Sequence, residues 1–279
     1  MKRCFVLGGG GFIGARLIKT LSSRGLNYIA PQSQDLDLTS DNSVTQLQDL
    51  YQDGDHLIIL AGLNPYRGDD LNLFYENLKI AENVQRSINE KIHHMIYVSS
   101  DAVYNQNVRY VYDDTPSAPN TLYGLMHHCR ELIFNRNVDN LAIVRPTMVF
   151  GRNDPHNAYG PNRFLKSSRE KNKIILFGNG EELRDYIEVN ELANILIDIS
   201  DSKFTSTFNL VGGKSFSFYQ LAKLIISFRR TTKIISKPRK TEIFHREYVC
   251  PKIKKLFKTK INSINFHLED LLRKENEGV

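Results

Sequence analysis

The chain has no Trp, three Cys and nine Pro in 279 residues. Cys4, Cys129 and Cys250 are too few and too far apart for a disulfide framework or a CxxC metal signature. Such cysteine usage predicts a reducing cytoplasm. No apolar run approaches the roughly 20 residues that cross a bilayer, so no membrane span is expected. The apolar start, Phe5-Val6-Leu7, runs into four consecutive glycines before any cleavable core develops. It reads as a buried strand rather than a signal peptide. A strong overall charge is also missing. The net +6 comes from the C-terminal end: residues 229–279 carry 14 Lys+Arg against 6 Asp+Glu, and residues 1–228 carry 23 against 25. That distribution excludes a generally nucleic-acid-coated protein.

What is present is an alternation of short apolar runs and helical periodicities. Strands are predicted over 4–7, 26–30, 56–60, 94–98 and 141–144, and helices over 12–24, around Leu47 and Leu50, over 71–89 and after Tyr123. Near-continuously apolar strands between helices predict an α/β fold: a doubly wound parallel sheet covered on both faces. After Phe150 the order loosens. Residues 153–162 read as a loop, 173–177 and 208–211 as strands, and 187–200 as a short strand and helix. The expected division is a dinucleotide-binding domain over 1–150, with 178–211 returning to it, and a smaller substrate-binding part over 151–177 and 212–279.

Gly8, Gly11 and Gly14 form GxxGxxG between the first strand and the first helix. Glycine allows the tight turn and the close approach of backbone to a pyrophosphate, and the helix N-terminus supplies N–H donors and a favourable dipole. Phe12 and Ile13, in the same loop, belong to this predicted cofactor site. The second strand runs into Ala30-Pro31-Gln32-Ser33, with neither an acid nor an Arg, so NAD and NADP stay undecided. Asp37, followed by Leu38, suits either the adenine end of a dinucleotide or a turn.

Ser99-Ser100-Asp101-Ala102-Val103-Tyr104 follows the fourth strand, and Tyr123-Gly124-Leu125-Met126-His127 opens a helix. Together with the glycine loop, Leu60-Ala61-Gly62, Asn77, the run Arg145-Pro146 to Gly151, the stretch Gly178 to Tyr186 and Phe208-Asn209-Leu210, these residues resemble the extended branch of the short-chain dehydrogenase/reductase superfamily, the nucleotide-sugar epimerases, dehydratases and reductases. The resemblance covers most of the chain and implies a Rossmann-type fold, NAD or NADP as cofactor and a nucleotide-diphosphate sugar as substrate. It implies that Ser100 and Tyr123 hydrogen-bond the sugar oxygen whose carbon exchanges hydride with nicotinamide. It places Ala61, Gly62, Asn77 and Pro146 in the cofactor site and Arg184 at the nucleotide phosphates or ribose. An ion pair of Arg184 with Asp185 or Glu188 is the competing reading. The family often dimerises through the Tyr helix, and a homodimer is left open.

Two departures stand out. His127 occupies the lysine position of the family's YxxxK motif, where the Lys binds the nicotinamide ribose and lowers the Tyr pKa. Tyr123 and His127, four apart, share a helix face, but histidine is only partly charged near neutrality. Either His127 tunes Tyr123 weakly, or Arg130 or His128 supplies the cation, or redox chemistry is lost and a binding protein remains. Met148 stands where many members have Asn, which leans toward a reductase. The pairs His127-His128-Cys129 and His93-His94 do not converge on one ion, so no metal is expected. His93-His94 reads as a loop-to-strand edge. Lys252, Lys254, Lys255, Lys258 and Lys260 alternate with Ile253, Leu256, Phe257 and Ile261. They form either a solvated surface or a flank that closes over an anionic substrate. The combined expectation is an NAD(P)-dependent reductase or epimerase acting at a sugar carbon, C4 above all. The alternative is a catalytically impaired nucleotide-binding protein of the same fold.

Overall fold

The computed structural model describes residues 3–63, 71–136, 138–155, 157, 160–251 and 259–276. Asn64, which follows the Leu60-Ala61-Gly62 stretch and could touch substrate or cofactor, and the lysines from Lys252 to Lys258 therefore lie outside the described residues. The first half alternates: β1 (Arg3–Leu7), α1 (Phe12–Ser23), β2 (Tyr28–Ile29), α2 (Ser43–Leu50), β3 (Asp55–Ile59), α3 (Leu71–Ser87), β4 (Ile92–Val98), β5 (Tyr110–Tyr112), α4 (Leu122–Asn135) and β6 (Leu141–Pro146). The second half is more broken: β7 (Met148–Phe150), α5 (Gly160–Lys171), β8 (Lys173–Phe177), β9 (Leu183–Arg184), β10 (Tyr186–Glu188), α6 (Val189–Ser202), β11 (Thr207–Leu210), β12 (Phe216–Ser217), α7 (Phe218–Phe228), β13 (Lys233–Lys237), β14 (Glu247–Val249) and α8 (Ile264–Asn276).

Six strands form one parallel sheet in the order β11-β6-β4-β3-β1-β2. Its two cores follow from the period of two along a strand. In β1, Cys4 and Val6 point to one face, where they meet Leu17 and Leu21 of α1 and the apolar stripe of α6. Phe5 and Leu7 point to the other, against residues of α2, α3 and α4. A separate core beyond the sheet joins α5, α7, α8 and β8, with β8 and β13 paired in parallel.

The second strand is shorter than 26–30. Gly25 takes φ +64°, the Leu26 amide returns to the Leu21 carbonyl at 3.0 Å, and the Gly25 amide bonds the Ser22 carbonyl at 3.1 Å. This is a Schellman-type end, so Leu26 serves the helix rather than the sheet. His93-His94 is also not a loop edge. Both lie inside β4, and His94 is buried opposite His56 of β3. Each ring has one local partner: His56 Nδ1 meets Ser200 Oγ at 2.8 Å, and His94 Nε2 donates to the Phe204 carbonyl at 2.9 Å.

Candidate active site

The glycine loop lies at the carboxyl ends of β1 and β3. A Cβ on Gly8 (φ +89°) would sit 2.5 Å from the Ala61 amide nitrogen, and one on Gly14 2.1 Å from the Gly8 carbonyl oxygen. Neither position admits any other residue, so the loop is pressed flat and α1 begins directly above it. Gly11 caps α1 without a side chain, which leaves the Phe12 and Ile13 amides at an open helix start. A cradle that a Cβ would fill, at a helix N-terminus, fits a dinucleotide pyrophosphate.

Beside it, Gln32 brings its Oε1 within reach of Gly10, where a Cβ would lie 3.4 Å away. Asp37 is engaged elsewhere: its Oδ1 accepts from the Thr39 amide (2.9 Å) and hydroxyl (2.7 Å), which hold its pKa below the ordinary carboxylate value. Of the two readings for Asp37, the turn is the one its hydrogen bonds support. Leu38 packs into the core under α3, and its carbonyl accepts from buried Asn83 at 3.0 Å.

Asn77 of α3 pins the loop after β3. Its Oδ1 accepts from the Leu63 amide (2.8 Å) and its Nδ2 donates to the Leu63 and Leu73 carbonyls (3.1 and 2.9 Å). Ser100 lies two residues past β4 and caps a single 3-10 turn, Asp101–Val103, by accepting from the Ala102 amide at 3.2 Å. Helix α4 starts at a Thr121 cap whose hydroxyl accepts from the Gly124 amide at 3.1 Å. A Cβ on Gly124 would lie 2.0 Å from the Ala102 carbonyl oxygen. This glycine therefore seats the start of α4, with Tyr123, directly on the turn that carries Ser100. Pro146 closes β6, paired with Leu210 of β11.

His127 is buried, and its ring meets that of Tyr123 edge-on at a centroid distance of 4.7 Å. The shared face expected from the four-residue spacing is present. The partial charge is not: burial first, and the charge of Arg130 second, push the imidazole down to about 3. His127 is neutral across the physiological range. Its Nδ1 is engaged with the Tyr97 hydroxyl at 2.8 Å, and burial keeps that phenol protonated. This burial disfavours the first of the three readings for position 127, a weakly charged His acting on Tyr123.

Arg184 does not pair with Asp185 or Glu188. It bonds Glu182 and the Phe244 carbonyl, and its Nη1 donates to the Leu183 carbonyl at 3.0 Å. Asp185 is buried and accepts from Thr147 Oγ1 (2.8 Å) and the Gly212 amide (2.6 Å), and burial pushes its carboxyl up to about 7. Glu188 caps α6 through the Asn190 and Glu191 amides.

A buried network behind the site carries no sequence signal. Glu131 accepts from Ser99 Oγ at 2.6 Å and from Arg145. Arg145 also donates to the Tyr104 hydroxyl (2.9 Å), which donates to Asn209 Oδ1 (2.7 Å). This network locks β4, α4, β6 and β11 together beneath Ser100. Among the described residues no cluster suits a metal ion, and no helix is long and apolar enough to cross a membrane.

The model of the NAD dependent epimerase/dehydratase family matches residues 4–210. GDP-6-deoxy-D-talose 4-dehydrogenase of Aggregatibacter actinomycetemcomitans is 29% identical over 233 residues, which cover 80% of this chain and 79% of that protein. Among solved structures, RMD from Pseudomonas aeruginosa complexed with NADPH superposes with a TM-score of 0.83 at 17% identity, over 100% of both chains. MoeE5 in complex with UDP-glucose and NAD gives 0.80 at 15% identity, over 99% of both. At such identities the structures speak for the fold alone, while the family match spans the glycine loop, Ser100, Tyr123 and the whole sheet. The chain belongs to the NAD dependent epimerase/dehydratase family and is an enzyme of its nucleotide-sugar epimerase, dehydratase and reductase group.

Proposed function

We propose that the protein binds NAD or NADP across the carboxyl end of the sheet and exchanges hydride with a carbon of a nucleotide-diphosphate sugar, C4 in the leading case. The observation that carries this reading is the contact of Gly124 with the Ala102 carbonyl, which sets Tyr123 against the Ser100 turn beside the glycine loop. Gly8, Gly11, Phe12, Ile13 and Gly14 would hold the pyrophosphate, and Ala61, Gly62, Asn77 and Pro146 would flank the nicotinamide end. When bound, the cofactor supplies or accepts the hydride. Tyr123 gives or takes the proton on the sugar oxygen, and Ser100 holds that oxygen in place. His127, uncharged, donates a hydrogen bond to a ribose hydroxyl. Residues 151–177 and 212–279 form the substrate-binding part in this reading, with Arg184 near the nucleotide.

A GDP-sugar heads the candidate substrates, because the dehydrogenase similar to this chain is named for one. Leu71 and Tyr75 on α3 and Leu125 and Leu132 on α4 are exposed, which supports a homodimer across these two helices. The three free thiols fit a reducing cytoplasm.

The test is mass spectrometry of ligands carried through purification, then turnover assays with GDP-, UDP- and dTDP-sugars and both cofactors. Tyr123→Phe is expected to lose turnover and keep cofactor binding. Turnover equal to wild type in that variant would remove Tyr123 from the chemistry. One observation favours the second reading, a binding protein of the same fold: the residue at the lysine position is held neutral. Cofactor binding without turnover on any nucleotide sugar would decide for it.

A further inference from the structure

Arg130 lies one helical turn beyond His127 on the Tyr123 face of α4, with only 1% of its surface exposed. Its Nη2 donates to the Ala61 carbonyl at 2.6 Å, and its Nη1 lies 3.5 Å from Asn77 Oδ1. A Cβ on Gly62 would come within 2.8 Å of that Nη1. The guanidinium is thus wedged behind the loop that abuts Gly8 of the glycine loop. Its Nε has no hydrogen-bond partner, and among the described residues no carboxylate pairs with it. Guanidinium does not lose its proton in a protein, and a buried unpaired one is costly to keep. A row of rings leads from it toward Tyr123. Its Cζ lies 5.0 Å over the Tyr97 ring, Tyr97 stacks on His127 with centroids 6.2 Å apart, and His127 meets Tyr123.

We propose that Arg130 is the fixed positive charge of this active site, a positioning residue that favours the ionised form of Tyr123 while position 127 contributes only a neutral hydrogen bond. This rests on the reading of Tyr123 as the acid/base above. Among the described residues, the other groups packed around the pair do not compete for the role. β4 presents Tyr97, a protonated phenol, and α3 presents the neutral Asn77. Glu131 of α4 is neutralised by Arg145 of β6, and Asp101 of the 3-10 turn is bonded to Tyr248.

The experiment needs no substrate. The phenolate absorbance of the purified protein is titrated and the matching Tyr123→Phe variant subtracted, which isolates one of the 13 tyrosines. Seven residues along a helix rise about 10 Å, and at an effective dielectric constant of about 20 one charge at that distance is worth about one pH unit. Arg130→Met is expected to raise the Tyr123 midpoint by about that amount, Arg130→Lys to leave it within about a third of a unit, and His127→Lys added to Arg130→Met to bring it back. Arg130→Gln gives the same reading should the Met variant not fold. A Tyr123 midpoint unmoved by loss of the guanidinium overturns the proposal. Absence of nicotinamide binding in the wild-type protein would instead overturn the function above and leave this titration standing.

Discussion

Glu131 holds Arg145 with both carboxylate oxygens, Oε1 receiving Nε at 2.9 Å and Oε2 receiving Nη2 at 2.6 Å. Both side chains are nearly buried. Such a pair contributes little net stability against two apolar residues, yet loss of one member leaves a buried charge alone. Arg145→Met is therefore expected to cost about 3–5 kcal/mol by denaturant unfolding. A cost under about 1 kcal/mol would show that Glu131 finds another partner or a proton.

Gly124→Ala tests the seat of Tyr123. The new Cβ would fall 2.0 Å from a backbone oxygen, so α4 has to move off the Ser100 turn. A shift of about 1 Å at reacting groups costs about a hundredfold in rate, and that loss in kcat is expected with cofactor binding largely retained. Unaltered kcat would separate the two residues functionally.

Acid should loosen the sheet before it protonates the surface carboxylates. Burial pushes His56 down to about 4 and His127 to about 3, and His94 is lowered too, against about 6.5 in an unfolded chain. Between these values the unfolded state binds more protons, so stability rises with pH and is lost as pH falls from about 6.5 toward 4. The urea midpoint at pH 5 should lie below that at pH 7, and His56→Gln should flatten the difference. Equal midpoints in the wild type would mean that these imidazoles charge in place.

Asp185 gives the opposite slope. Its carboxyl titrates at about 7 in the fold and about 3.9 when unfolded, so the folded state binds the extra proton between them. Stability from this group falls as pH rises through that window. Asp185→Asn, which keeps an acceptor for Thr147 and the Gly212 amide, should gain stability at pH 8 relative to pH 5. A larger loss at pH 8 than at pH 5 would contradict the assignment.

The parts legible in the sequence are those set by local pattern. Alternating Cys4, Phe5, Val6 and Leu7 announce a strand buried on both faces, and Gly8 and Gly14 sit where any Cβ would strike backbone. The true start of the second strand is not legible, because Leu26, apolar like a strand residue, closes the helix before it. Arg184 has four acids within four residues, and only the folded position of Glu182 selects among them. The pairing of Glu131 with Arg145 needs α4 and β6 to be placed first, and the neutrality of His127 is a product of packing. Neither is written in spacing.

The family match ends where the main sheet ends, at residue 210, but the neighbourhood of Ser100 does not. β14 pairs with β5, the Arg246 guanidinium bonds the Asn105 carbonyl at 3.0 Å, and the Tyr248 hydroxyl bonds Asp101, the residue after Ser100. Protein synthesis runs from the N-terminus, so the sheet can be complete while the chain is still on the ribosome. The turn that presents Ser100 receives its last clamp only when residues 246–249 emerge. If Ser100 acts as proposed, completion of the site is a late event in translation, and a truncated product would carry the whole sheet without that clamp.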